Sequence, residues 1–91
     1  MTVLAVSNNL GYPRLGTAVS IRTAGNAVKR NRIKRLIRES FRHHQDILGG
    51  HDLVVLARPG ISSISNQQIL GALDNHWRKI AAHAHTGSDT H

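Results

Sequence analysis

The spacing of apolar positions changes along the chain, and each change predicts a new element. Thr2 to Ser7 is a short apolar run with β-branched residues, and Asn8, Asn9, Gly11 and Pro13 after it read as a turn, so a strand and a loop are expected here. From Arg14 to Arg22 the pattern alternates, with Leu15, Thr17, Val19 and Ile21 on one face and Gly16, Ala18 and Ser20 on the other. The two strands are expected to form a hairpin. Thr23, Gly25 and Asn26 break the alternation, and either Thr23 or Asn26 can cap a following helix by accepting from its first free N–H groups. That helix is predicted from Ala27 to Leu48, closed by Gly49 and Gly50 as left-handed caps. Projected at about 100° per residue, Ile33, Leu36, Ile37, Ser40, Phe41, His44, Ile47 and Leu48 share one arc, which is the predicted core face. The continuous apolar run Leu53 to Ala57, within Asp52 to Arg58, predicts a strand buried on both sides and stopped by Pro59 and Gly60. Ser65 to Ala82 reads as a final helix, with Ile69, Leu70, Leu73, Trp77 and Ile80 at helical spacing.

The order strand, strand, helix, strand, helix predicts an α+β fold: one small sheet with helices packed on it, in which the strand after the first long helix pairs with one of the earlier two. A single domain over residues 1–82 is expected, with a polar, mobile tail over 83–91 and no repeat or linker. Ninety-one residues build one core, and its stability is expected to be marginal. Tyr12, Phe41 and Trp77 are the only aromatic residues, so Val, Leu, Ile and Ala must fill that core, and stacking on several bases is not available to this chain. Trp77, on the inward stripe of the last helix, belongs to the core.

Charge narrows the class of partner. Twelve Lys and Arg against five Asp and Glu give a formal charge of +7, whose self-repulsion points to a polyanionic partner, nucleic acid ahead of an anionic membrane surface. The absence of cysteine removes disulfides, thiolate nucleophiles and Cys-based zinc sites. No basic, apolar leader opens the chain and no apolar run approaches the roughly 20 residues that span a bilayer, so the chain reads as soluble and cytoplasmic. Seven histidines do not assemble a metal site: His43 and His44 diverge by about 100° on a helix, and His83, His85 and His91 lie in the tail. Asp52 and Asp74 form no carboxylate pair, and no Gly-rich phosphate loop precedes a helix, which argues against an independent protein enzyme.

The chemistry concentrates in the first long helix. Lys29, Arg30, Arg32, Lys34, Arg35, Arg38 and Arg42 are seven cations in fourteen residues, and Glu39 is the single acid among them. Lys34, Arg35, Arg38 and Arg42 project opposite the apolar arc, with Asn31 among them and Arg32 at the flank. Lys29 and Arg30 fall beside the core face, on the approach to the helix or snorkelling around its edge. At 1.5 Å rise per residue, Asn31 to Arg42 spans roughly 16 Å, enough to meet several successive phosphates. Arginine forks grip phosphate oxygens with two parallel bonds. An ordinary solvated face would alternate its charges in i,i+4 pairs, and this one does not.

The string Gly25-Asn26-Ala27-Val28-Lys29-Arg30-Asn31-Arg32-Ile33-Lys34-Arg35-Leu36-Ile37-Arg38-Glu39-Ser40-Phe41-Arg42 closely resembles the signature of the bacterial ribonuclease P protein family, including its central Arg-Asn-Arg. The resemblance extends back through Arg14-Leu15-Gly16 and Val19-Ser20 and forward through Asp52 to Arg58 and the Trp77 helix, over residues 3–81. It implies a split βαβ fold with a left-handed crossover and a protein subunit that binds the catalytic RNA of an endoribonuclease, which trims the 5′ leader from precursor tRNA. The RNA is then expected to perform the hydrolysis with Mg2+ that it mainly holds itself. Carried over by position, Lys29, Arg30, Asn31, Arg32, Lys34, Arg35, Arg38 and Arg42 are the expected RNA-binding residues, none of them a catalytic acid, base or nucleophile. Family members begin with a further helix and strand that this chain lacks, so an uncovered sheet edge and self-association through it are expected. The alternative within RNA binding is a ribosomal or other structured-RNA-binding protein with no role in tRNA processing. A helix-turn-helix reader of DNA would need a short helix where strands are predicted, and a peripheral membrane helix would need its apolar face free of the core.

Overall fold

The computed structural model describes the backbone of residues 1–89 and the side chains of residues 1–82. Strands β1 (Thr2–Ser7) and β2 (Arg14–Ala18) lead into a single helical turn, α1 (Ile21–Ala24), and the long helix α2 (Ala27–His43). A 3-10 turn at Gln45–Ile47, strand β3 (His51–Leu56), a second 3-10 turn at Ile61–Ser63 and helix α3 (Asn66–Asp89) complete the order. α3 runs on to Asp89, seven residues past the Ala82 where the final helix was expected to end and into the expected tail, of which the side chains of 83–89 and all of 90–91 lie outside the described residues.

The expected hairpin does not form. The strand order is β1-β3-β2, with β3 antiparallel to β1 and parallel to β2. Thr2 to Ser7 run opposite Leu56 to His51, and Leu15 lies beside Leu53. β3 therefore pairs with both earlier strands rather than one, and the two parallel strands of the β2-α2-β3 unit are direct neighbours rather than split by a third. An alternating pattern fixes which face a side chain takes but not which strand lies beside it, and here the Asn8–Pro13 turn carries the chain across the width of β3.

Two boundaries differ from expectation for local reasons. β2 stops at Ala18 because Ser20 caps α1, its hydroxyl accepting from the Thr23 N–H at 3.0 Å. Val19 is buried, but Ile21, expected on the same face, is 52% exposed. Gly25, at φ 106°, ends that turn, and Asn26 caps α2 by accepting from the Lys29 N–H at 2.8 Å. α2 ends at His43, five residues short of the predicted Leu48. The His44 N–H donates to the Phe41 carbonyl, and the 3-10 turn that follows leaves Ile47 exposed while Leu48 turns into the core. Of the two expected glycine caps, only Gly50 takes a positive φ. At α3 the Gln68 N–H donates to the Ser65 hydroxyl and the Ser65 N–H to the Gln68 side chain, a reciprocal capping box.

One core lies between the sheet and the helices. Leu53 and Val55 of β3 meet Ile33, Leu36, Ile37 and Phe41 of α2 and Ile69, Leu73 and Trp77 of α3 in one buried cluster. Phe41 and Trp77 meet edge-on, centroids 6.1 Å apart, a contact worth about 1 kcal/mol beyond burial. The helices cover one face of the sheet only. Val54 is 37% exposed, and Leu4, its partner on β1, is 51% exposed, so β3 is not buried on both sides as its apolar run suggested.

Candidate nucleic-acid interface

α2 delivers its polar face because its apolar face is fully used. Ile33, Leu36, Ile37, Ser40 and Phe41 are buried, and the opposite side carries Asn31, Arg35, Arg38, Glu39 and Arg42 exposed, with Lys34 half-buried. Together with Lys34 they line an open depression of about 410 Å3 along the helix. Among the described residues, Lys34, Arg35, Arg38 and Arg42 have no hydrogen bond or ion pair to another side chain, and neither has Lys29. Two of the chain's five acids are committed elsewhere: Asp52 binds Arg14 through both carboxylate oxygens at 2.8 and 2.6 Å, and Asp74 takes Arg78 and His44. Among the described residues no carboxylate is ion-paired to the row of cations, and Glu39 is the one acid that shares its depression.

Two of the predicted residues have internal work. The Arg30 Nε donates to the Val19 carbonyl at 2.7 Å, tying the start of α2 to the end of the strand before it. The Arg32 guanidinium reaches the neighbouring 3-10 turn and the start of α3, donating from Nη1 to Asn66 Oδ1 at 2.9 Å and from Nη2 to the Ser62 carbonyl at 3.2 Å. Its Nε is buried without a partner. Arg32 therefore fastens α2 to the entrance of α3. Sequence shows the cation but not acceptors that lie 30 and 34 positions away.

The other end of α2 is fastened by a polar pair that the helical projection placed on the core face without explaining. Ser40 is buried, and its hydroxyl accepts from the Trp77 indole N–H at 2.8 Å. The His44 ring sits between the Ser40 carbonyl and the Asp74 carboxylate, 2.6 Å from each. Arg78 and then His44 hold the Asp74 carboxyl below the usual range. These contacts prevent α2 from rolling about its axis, so the direction of its cations is fixed by the core.

A second concavity, of about 390 Å3, was not visible in the sequence. Val3, Ala5 and Ser7 of β1, His51 of β3 and His76, Lys79 and Ile80 of α3 line it. The alternation in β1 signals that Val3, Ala5 and Ser7 share a face, but not that α3 lies over it. Burial, then the charge of Lys79, lowers the His76 pKa. Among the described residues no group of three or more His, Cys, Asp or Glu could hold a metal ion. The single carboxylate in the basic depression, Glu39, is surrounded by cations, an unfavourable setting for Mg2+ with its demand for several hard oxygen ligands. Among the described residues no helix is long and apolar enough to cross a membrane.

Comparison with known proteins gives a consistent result. The family profile described as Ribonuclease P matches residues 1–81. The ribonuclease P protein component of Nitrosococcus oceani is 55% identical over 76 residues, 84% of this chain and 64% of that protein. The component from Methylococcus capsulatus is 52% identical over 77 residues, 85% of this chain and 60% of that one. The chain thus spans about three fifths of the length of these relatives. Among solved structures, the Thermotoga maritima RNase P protein in complex with 1-(4-fluorophenyl)-2-thiourea superimposes with a TM-score of 0.77 at 35% identity, over 86% of this chain and 77% of that one. The Staphylococcus aureus RNase P protein gives 0.75 at 40% identity, over 87% and 72%.

Proposed function

Since the chain belongs to the ribonuclease P protein family, we propose that it is the RNA-binding part of a ribonuclease P protein subunit, engaging the catalytic RNA through the polar face of α2 and assisting removal of the 5′ leader from precursor tRNA. The observation that carries this reading is the row Lys34, Arg35, Arg38 and Arg42, anchored from behind by the core and unpaired among the described residues. Asn31 adds both an acceptor and donors to the row, and Lys29 extends it toward the start of the helix. Arg30 contributes through the Nη donors that its bond to Val19 leaves over, while Arg32 acts mainly by holding α2 in place.

The chain supplies charge and position, not a reacting group. Its cations neutralise phosphates of a folded RNA and release the counterions held there. Hydrolysis belongs to the RNA in this reading, with Mg2+ held by RNA oxygens, because the residues of the basic depression do not suit that ion. A cytoplasmic location and a precursor tRNA substrate are parts of the same proposal. Self-association is a further part: β1 pairs with β3 alone among the described residues, so the backbone of its other edge is open to a second copy, beside the exposed Leu4 and Val6 on the uncovered face.

The test is reconstitution of the chain with a bacterial ribonuclease P RNA, assaying release of the 5′ leader at low magnesium. Cleavage stimulated by the chain, and lost on replacing Arg35 and Arg38 with Ala, is the expected result. An RNA that neither binds the chain nor cleaves faster in its presence would refute the proposal.

A further inference from the structure

Glu39 is the residue of the basic depression that the electrostatic account leaves unexplained. It is an exposed carboxylate among Asn31, Lys34, Arg35, Arg38 and Arg42. Arg35 lies four positions before it and Arg42 three after, both at the spacing where helical ion pairs form. Its carboxylate nevertheless takes part in no ion pair or hydrogen bond among the described residues. A surface built solely to collect phosphates would gain by having a neutral or cationic side chain there, because a carboxylate beside a phosphate is repelled.

We infer that Glu39 is a specificity determinant, accepting a hydrogen bond from a neutral donor of the bound RNA, either a ribose 2′-hydroxyl or a base exocyclic amine. This rests on the reading that the polar face of α2 binds RNA. Its chemistry follows from what the groove lacks. Lys34, Arg35, Arg38 and Arg42 only donate, and Asn31 is the sole other side chain there that can accept. RNA presents donors as well as acceptors: 2′-hydroxyls along the backbone, and amines on exposed base edges, with which carboxylates pair. Phosphates lie against the cations, and the strand is held in the register that brings a donor, not a phosphate, to Glu39. A nucleic acid that offers only phosphates at that point pays for the carboxylate with repulsion and gains nothing from it.

The experiment measures equilibrium binding of the full chain and of Glu39→Gln and Glu39→Ala to three probes: a folded bacterial ribonuclease P RNA, an unrelated RNA duplex, and a DNA duplex of the same sequence. The Glu39 carboxylate has no partner among the described residues, so both variants should melt close to the temperature of the parent. The expected result is a several-fold gain in affinity for DNA in both variants, from loss of repulsion, and a loss for the folded RNA on the order of tenfold in Glu39→Ala, which removes the acceptor, and smaller in Glu39→Gln, whose amide oxygen still accepts. If the donor is the 2′-hydroxyl, the preference for the RNA duplex over the DNA duplex falls as well. If it is a base amine, that preference is unchanged and only the preference for the folded RNA falls. Affinities that rise together for all three probes, or that do not move, overturn the inference. The Arg35→Ala/Arg38→Ala double variant separates this from failure of the parent reading: if it binds the folded RNA as tightly as the parent, the α2 face is not the interface at all.

Discussion

Replacing Arg35 and Arg38 together with Ala should make the log–log salt slope of RNA binding shallower by about 1.8 without weakening the fold. Four cations line the depression, Lys34, Arg35, Arg38 and Arg42, and none has an internal partner among the described residues. If these four alone each neutralise one phosphate of a duplex-like site, the log–log salt slope is about −3.6, and removal of two brings it to about −1.8; each phosphate met by Lys29 or Arg30 adds about −0.9 to both. Between 50 and 200 mM salt the parent should then lose about 150-fold in affinity and the double variant about 12-fold. Fluorescence anisotropy across a salt titration measures both slopes, and thermal melting supplies the control, since both side chains are exposed. A slope that stays near its parent value in the double variant, with RNA still bound, refutes the assignment of these two guanidiniums to phosphates.

Arg32→Ala should behave in the opposite way, losing about 1.5 kcal/mol of stability in urea with its bonds to Asn66 and Ser62 while leaving the salt slope nearly unchanged; a slope smaller by about one, with stability intact, would make it a phosphate ligand instead. Ser40→Ala strands the buried Trp77 indole N–H and should cost about 1–3 kcal/mol by the same measurement, and a cost near zero would mean that the indole finds another acceptor. The Asp52 carboxyl is lowered to about 2, first by its hydrogen bonds from Arg14 and then from Asn8. A carboxyl depressed in the folded state stabilises the fold above its unfolded value, near 4, and that contribution is lost as pH falls through about 2. Acid titration of stability should therefore be shallower between about pH 4 and 2 in Asp52→Asn than in the parent, and parallel curves would remove Asp52 from the acid response. Light scattering should give a mass that rises with protein concentration if the open β1 edge pairs with a second copy, and a monodisperse monomer at high concentration would exclude that pairing.

The sequence disclosed the part of the fold that repeats locally. The arc of Ile33, Leu36, Ile37, Ser40 and Phe41 is buried as its 3.6-residue period required, Arg35, Arg38 and Arg42 opposite it are exposed, and Asn26 caps the helix as one of the two candidates. What it hid depends on partners distant in the chain. The β1-β3-β2 order and the role of Arg32 join positions thirty or more residues apart, and the coverage of the sheet on one face only joins β3 to helices more than ten residues away on either side. Periodicity carries no information about such neighbours. Ser40 lies between these cases: its phase marked it as buried, but its partner, Trp77, comes from the last helix. The groove between β1 and α3 was hidden for the same reason.

The order of strands also bears on how the protein comes into being. With β3 between β1 and β2, a growing chain that has reached Gly50 has completed every position of α2 yet none of the strand that joins the earlier two. β1 and β2 cannot pair as an early hairpin, and contacts of long sequence separation must close together and late. On the ribosome, itself largely RNA, the charged helix would emerge ahead of the scaffold that aims it, leaving an interval in which the nascent segment is adhesive but not yet selective.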